Sequence, residues 1–194
     1  MRFLCMCLSP AIDATVRLNA WPSDGCIIKD AVDTFAPGGK GLNVARWLAV
    51  RSLAEASGKA LVEGVKAHPD VIKPNAEECE ALIGFVPKAP EEFQTATVAL
   101  KAFCDYPIIS DGGAGCWFDG TFVPAPKVEV LDTTAAGDPL LAEWGFQFFT
   151  SGRESASPLA LRYSVAAGSA ACTMPGGESP DVALVEKLAQ EIAG

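Results

Sequence analysis

Apolar and polar positions fall in blocks whose periods separate strands from helices. Phe3-Leu4-Cys5-Met6-Cys7-Leu8 is an unbroken apolar run closed by Ser9-Pro10, the pattern of a strand buried on both faces, with Ala11-Ile12-Asp13 at its end. Ile27 to Phe35 alternates apolar and polar, as a strand with one wet face does, and a glycine-rich turn from Pro37 to Gly41 then leads into a helix. Ser57 to Ala67 reads as a helix ending at His68-Pro69, Val71-Ile72 as a short strand, and a further helix starts near Asn75. Ala89 to Cys104 is helical, with Val98 and Leu100 to Phe103 expected in the core. Pro107 to Ser110 is a strand, and Asp119-Gly120 is a two-residue hairpin signal between Trp117-Phe118 and Thr121-Phe122-Val123. A β-compatible run, Val128 to Leu131, precedes small residues and a helix from Leu140 to Thr150. Ser157-Pro158 opens a helix toward Met174, rich in Ala and Gly, and Ser179-Pro180 opens the last helix, striped by Val182, Val185, Leu188 and Ile192.

Strands alternate with helices, which predicts an α/β fold with a mostly parallel central sheet flanked by helices. The 194 residues suffice for one domain, spanning 1–194, with a sizeable core. Hydrophobic residues make up 49% and charged residues 20%, a globular balance. The net charge of −9 argues against nucleic acid or an anionic membrane as bulk partners, so an anionic ligand would need a few local N–H groups and cations. No stretch approaches the roughly 20 apolar residues of a membrane span, and the expectation is a cytoplasmic protein. The seven cysteines form no disulfide framework and read as reduced thiols. With one histidine, His68, a histidine-rich zinc site is excluded.

The chemistry concentrates in turns. Asp132-Thr133-Thr134-Ala135-Ala136-Gly137-Asp138 runs from a strand-like segment into a helix start. The first turn of a helix carries N–H groups without intrahelical partners, and Ala135, Ala136 and Gly137 let an anion approach that backbone. Asp138 among those donors could take a proton from a hydroxyl; equally, Asp138 before Pro139 is a good N-cap followed by a good first helical residue. Gly38-Gly39-Lys40-Gly41-Leu42-Asn43 could hold polar or phosphate groups, with Lys40 as the cation, although it is not a Walker loop. Asn75 and Glu78, three residues apart, could orient water around Mg²⁺ and phosphates, or could simply form a capping box. The Ser110 to Gly115 glycine cluster could admit a nucleotide or make a hairpin turn, and Asp13 is a candidate polar contact or a satisfier of turn backbone.

Together these segments resemble the ribokinase-like family of carbohydrate kinases, closest to the branch acting on phosphosugars, such as 1-phosphofructokinase and tagatose-6-phosphate kinase. The resemblance rests on Leu8 to Asp13, Gly38 to Ala45, Lys73-Pro74-Asn75-Ala76-Glu77-Glu78, Ser110 to Gly115 and Asp132 to Asp138, in that order. It implies a three-layer α/β/α fold and transfer of a phosphoryl group from ATP to a hydroxyl of fructose 1-phosphate, fructose 6-phosphate or tagatose 6-phosphate. By resemblance Asp138 is the base, and the backbone of Ala135, Ala136 and Gly137 forms an anion hole. Asn75 and Glu78 organise Mg²⁺ through water. Ser110, Gly113 and Gly115 border the nucleotide, the helix after Pro158 lies near its base, and Asp13, Gly39, Lys40 and Asn43 hold the sugar phosphate.

The chain also departs from the pattern. Between Leu48 and Ser57 it passes directly from the glycine-motif helix to the segment before the Asn-x-x-Glu strand, omitting on the order of a hundred residues. In the family that stretch carries the lid strands, several central sheet elements and basic residues gripping the substrate phosphate. Relatives often dimerise through the lid, so a homodimer is an open expectation here. Pro139 and Glu143 replace small or hydroxyl residues and a non-acidic position. The alternative expectation is a nucleotide-binding remnant or interaction protein descended from such a kinase. An unrelated dinucleotide-binding oxidoreductase is disfavoured, because no Gly-x-Gly-x-x-Gly follows the first strand.

Overall fold

The computed structural model describes residues 11–17, 32–38, 61–62, 65–134, 136–151, 157–175 and 178–192, the first two stretches as backbone. Those two stretches are strands β1 (Ala11–Arg17) and β2 (Val32–Gly38), paired antiparallel from Ala11 opposite Gly38 to Arg17 opposite Val32. Asp13 therefore lies inside β1, opposite Ala36, rather than beyond a strand end. Alternation of Ile12, Ala14 and Val16 with Asp13, Thr15 and Arg17 is the pattern that continues the strand through it. Gly38 likewise closes β2 instead of opening a turn. The expected strand at 3–8 lies outside the described residues.

A second sheet has four strands in the order β3 (Val71–Ile72), β4 (Tyr106–Ser110), β5 (Gly115–Phe118) and β6 (Thr121–Pro124). Only β3 and β4 run parallel; β4–β5 and β5–β6 are antiparallel. The described sheet is thus mixed rather than mostly parallel. The reason is local: short turns join β4 to β5 and β5 to β6, and a parallel pair needs a long crossover. The hairpin expected at Asp119-Gly120 is present, both residues having positive φ (45° and 79°) and Phe118 pairing Thr121.

Helix α1 (Cys79–Ile83) and helix α2 (Pro90–Leu100) cover one face of this sheet. There Phe93, Ala96 and Leu100, at helical spacing on α2, bury against Ile72, Ile109 and Trp117, with the Phe93 and Trp117 rings stacked 5.1 Å apart. Val98, expected in this core, is 72% exposed because it projects from the opposite side of α2. Helix α3 (Gly137–Ser151) and helix α4 (Ser157–Ala171) cover the other face. Ile108, Cys116 and Phe118 point there, against Leu141, Trp144, Phe148 and Leu161. Consecutive residues Ile108 and Ile109 serve opposite cores, as the two-residue period of a strand requires. Helix α5 (Val182–Glu191) starts with the Asp181 carboxylate accepting the Ala183 N–H at 3.0 Å. It buries Val185 and Leu188 against the alanine face of α4. Helices on both faces of one sheet give the three-layer arrangement.

One expected strand is absent. Residues 128–131 form no ladder, and Val130 and Leu131 are 57% and 65% exposed. Pro124 ends β6 and Pro126 follows, so the chain lacks N–H groups where a ladder would continue. Instead the Leu131 and Asp132 N–H groups both donate to the Cys172 carbonyl, at 2.8 and 3.2 Å. Residues 125–134 are therefore a strap strung between β6 and α3.

Candidate functional site

The strap ends in the turn that starts α3. Asp132 accepts the Thr134 N–H at 2.8 Å and the Ala136 N–H reaches the Thr133 carbonyl at 3.3 Å. Helix α3 then begins at Gly137. Asp138 is consequently its second residue, not its N-cap, and Asp132 does the local side-chain bonding that the cap reading gave to Asp138. Pro139 fits because its missing N–H falls where no intrahelical partner exists. Asp138 is 1% exposed. Helix α4 crosses close by: a Cβ at Gly168 would stand 3.2 Å from the Ala136 carbonyl oxygen and 3.3 Å from Leu140. The Ser164 hydroxyl donates to the Leu140 carbonyl at 2.6 Å, fixing the two helices at that approach.

The glycine loop faces this turn. Residues Gly112–Ala114 form a single 3-10 turn between β4 and β5, closed by Asp111 N–H to Gly115 carbonyl at 2.9 Å. Gly115 has φ +142°, and a Cβ there would sit 2.1 Å from the Val123 carbonyl oxygen, so only glycine fits. The loop is tied to the Asn75 segment by Ser110 N–H to Pro74 carbonyl (3.1 Å) and Ala76 N–H to Ser110 carbonyl (3.0 Å). Asn75 and Glu78 form a reciprocal capping box. The Asn75 Oδ1 accepts the Glu78 N–H at 2.7 Å, and Glu78 Oε2 accepts the Asn75 N–H at 3.0 Å. Glu78 keeps its other oxygen outside that box. Among the described residues no group of three His, Cys, Asp or Glu side chains could hold a metal ion. One carboxylate oxygen is a fit only for a cation that keeps much of its water, as Mg²⁺ does.

Between the loop, the strap, the start of α3 and α4 lies a cavity of about 590 Å³. Ser110, Gly113, Gly115, Ala136 and Gly137 line it, as do Gly168 and Ser169 of α4. Five sequence-picked positions and the small-residue helix thus meet around one space. Asp138, Asn75 and Glu78 are not on its wall: the first follows Gly137 in sequence, Asn75 lies between the two residues bonded to Ser110, and Glu78 is capped onto Asn75. Asp13 is in β1, while Gly39, Lys40, Asn43 and Ala135 lie outside the described residues.

Residues 50–182 match the pfkB family of carbohydrate kinases. The chain belongs to the pfkB carbohydrate kinase family. It is 30% identical over 159 residues to 1-phosphofructokinase of Haemophilus influenzae, an alignment covering 78% of this chain and 49% of that protein. The chain therefore spans about half the length of that curated relative. Its fold is similar to the tetrameric inhibited form of phosphofructokinase-2 from Escherichia coli, with TM-score 0.80 and 15% identity over 100% of this chain and 99% of the other. It is also similar to ribokinase of Arabidopsis thaliana complexed with ribose and ATP, with TM-score 0.64 and 17% identity over 94% and 96% of the two chains. These likenesses establish the ribokinase-like fold.

In this pfkB chain several cavity residues escaped the sequence reading: Pro126, Lys127 and Val130 of the strap, Thr133, and Cys172 at the end of α4. Lys127 stands just before the run read as a strand, 128–131, and only the observed course of the strap brings it to the cavity. The four cysteine thiols among the described residues are held above their ordinary range. Burial pushes Cys116 up to about 12 and, with the Glu78 charge adding, Cys79 to about 12. Burial also raises Cys104 to about 11, and Cys172 is raised by burial and then by Asp132. No helix among the described residues is long and apolar enough to cross a membrane.

Proposed function

We propose that this chain transfers a phosphoryl group from ATP to a hydroxyl of a sugar phosphate of the fructose 1-phosphate, fructose 6-phosphate or tagatose 6-phosphate class. The observation that carries the reading is the convergence of the Ser110–Gly115 loop, the Ala136–Gly137 helix start and the small face of α4 on one cavity, with the buried Asp138 next in sequence to the lining residue Gly137. At about 590 Å³ the cavity falls within the size range of small-molecule and cofactor sites. ATP supplies the phosphoryl group when bound there, bordered by Ser110, Gly113 and Gly115.

In this reading Gly137, at the start of the fifteen-residue α3, offers its N–H to the charge that develops during transfer, and Ala135 and Ala136 are assigned to the same anion hole, Ala136 by giving up its 3.3 Å bond to the Thr133 carbonyl. Asp138, one residue further and shielded from bulk water, takes the proton of the attacking hydroxyl. Asn75 and Glu78 hold hydrated Mg²⁺ near the phosphates, Glu78 through the carboxylate oxygen its cap leaves available. Asp13, Gly39, Lys40 and Asn43 hold the sugar phosphate. The 194 residues form one ribokinase-like domain, shortened near 49–57. Phosphoryl transfer relies on position and charge more than on covalent chemistry, which this backbone-built site suits.

A second reading, a nucleotide-binding remnant without turnover, is favoured by one fact: the chain spans 49% of its Haemophilus relative. ATP consumption with Mg²⁺ across a panel of phosphosugars separates the two. The kinase reading expects sugar-dependent turnover that falls by about 10²–10⁴-fold in Asp138→Asn. Saturable ATP binding without turnover would replace it with the remnant, and turnover unaffected by Asp138→Asn would remove Asp138 as the base.

A further inference from the structure

Among the described residues that line the cavity, Lys127 is the single charged side chain, in a chain of net charge −9. Its side chain is exposed and makes no ion pair among the described residues. Its backbone, by contrast, is well placed. The strap is pinned at two points: Ala125 N–H to the Ala114 carbonyl at 2.9 Å, beside the glycine loop, and Leu131 N–H to the Cys172 carbonyl at 2.8 Å, at the end of α4. Lys127 is two residues from the first pin, and Pro126 between them fixes φ. Val130 is one residue from the second pin and also lines the cavity. The strap is therefore cationic toward the glycine loop and apolar toward the small-residue helix.

Resting on the nucleotide reading above, we propose that Lys127 contacts the polyphosphate of a nucleoside triphosphate in this cavity and sets its direction, phosphates toward the glycine loop and base toward Val130 and Cys172. A neutral backbone cradle binds a phosphate chain through N–H groups alone; a lysine on a four-carbon stem adds a movable point charge where the wall has no other. The neighbouring hydroxyls, Ser110, Thr133 and Ser169, carry no charge and cannot substitute for it.

Calorimetric titration of the full chain with ATP, ADP and adenosine tests the assignment. Lys127→Ala should weaken ATP about 5-fold, the upper end for a solvated ion contact, and Lys127→Glu should weaken it further. Lys127→Arg should stay near wild type, and adenosine should change less than 2-fold in every variant. The wild type's ATP affinity should also fall more steeply with salt than that of Lys127→Ala. Equal ATP affinity in wild type and Lys127→Ala overturns the assignment and leaves the nucleotide reading standing. An equal loss for adenosine also overturns it, since the lysine stem would then be covering the base. No ATP binding by the wild type removes the nucleotide reading and this assignment together.

Discussion

Three glycines of one loop should respond to alanine in a graded way. At Gly113 an added Cβ meets nothing within 4 Å and φ is not positive, so Gly113→Ala should change stability by no more than about 0.5 kcal/mol. At Gly112 the space is equally open but φ is +50°, a left-handed conformation costing an alanine about 1 kcal/mol. Gly115 combines both obstacles. Its φ of +142° and ψ of −143° are open essentially to glycine alone, at about 1–3 kcal/mol for another residue. The Cβ would also stand 2.1 Å from the Val123 oxygen and 2.9 Å from the Pro124 Cα.

Those atoms are backbone of β6, so relief requires parting β5 from β6 where Gly115 pairs Pro124. The adjacent bonds, Asp111 N–H to Gly115 and Ala125 N–H to Ala114, go with it at about 0.5–1.5 kcal/mol each. The sum for Gly115→Ala is on the order of 2–6 kcal/mol, a large part of a typical domain's 5–15 kcal/mol. Urea unfolding at equilibrium, followed by tryptophan fluorescence, gives all three midpoints. A Gly115→Ala midpoint within error of Gly113→Ala would refute the reasoning.

The capping box makes a second prediction: Asn75→Ala should cost about 1 kcal/mol in the same urea assay, and Glu78→Gln less, because glutamine can still accept the Asn75 N–H. If Glu78 also holds hydrated Mg²⁺, Glu78→Gln should raise the Mg²⁺ needed for half-maximal turnover while leaving the midpoint nearly unmoved; the reverse pattern would confine Glu78 to capping. The thiols make a third. Their ordinary value is 9.0, and Cys79 and Cys116 are held up to about 12, so above pH 9 the unfolded chain releases protons that the folded chain keeps. The unfolded state then binds fewer protons, and stability should fall from about pH 9 to about pH 12 by up to about 1.4 kcal/mol per pH unit for each such thiol. Urea midpoints across that range test this, and a flat profile in the wild type would contradict the burial of both thiols.

The positions that meet at the cavity were readable because they are written in contiguous residues. The turn at Asp132–Asp138, the glycine loop and the Asn75–Glu78 pair each carry their own spacing, and the fold only had to bring two of them to one cavity. Helix positions were legible too, since Phe93, Ala96 and Leu100 repeat at the helical period. Val98 misled because a short apolar run does not say which side of a helix meets the sheet. The run at 128–131 misled for a different reason: strand propensity needs a partner ladder, and here prolines and the Cys172 carbonyl took the chain elsewhere. The same rerouting hid Lys127, whose relation to the cavity depends on tertiary course and not on spacing. The alternative reading of Asp138 as a cap fails because the helix begins at Gly137, two residues before Pro139.

The two hydrogen bonds that the Leu131 and Asp132 amides donate to the single Cys172 carbonyl link two lifetimes. That acceptor lies just past the last residue of α4, where helices fray first. Each opening of that terminus releases the far end of the strap, and with it one wall of the cavity, while the end pinned at Ala114 stays put. In hydrogen exchange the Leu131 and Asp132 amides would then keep time with the last turn of α4 rather than with the sheet from which the strap departs.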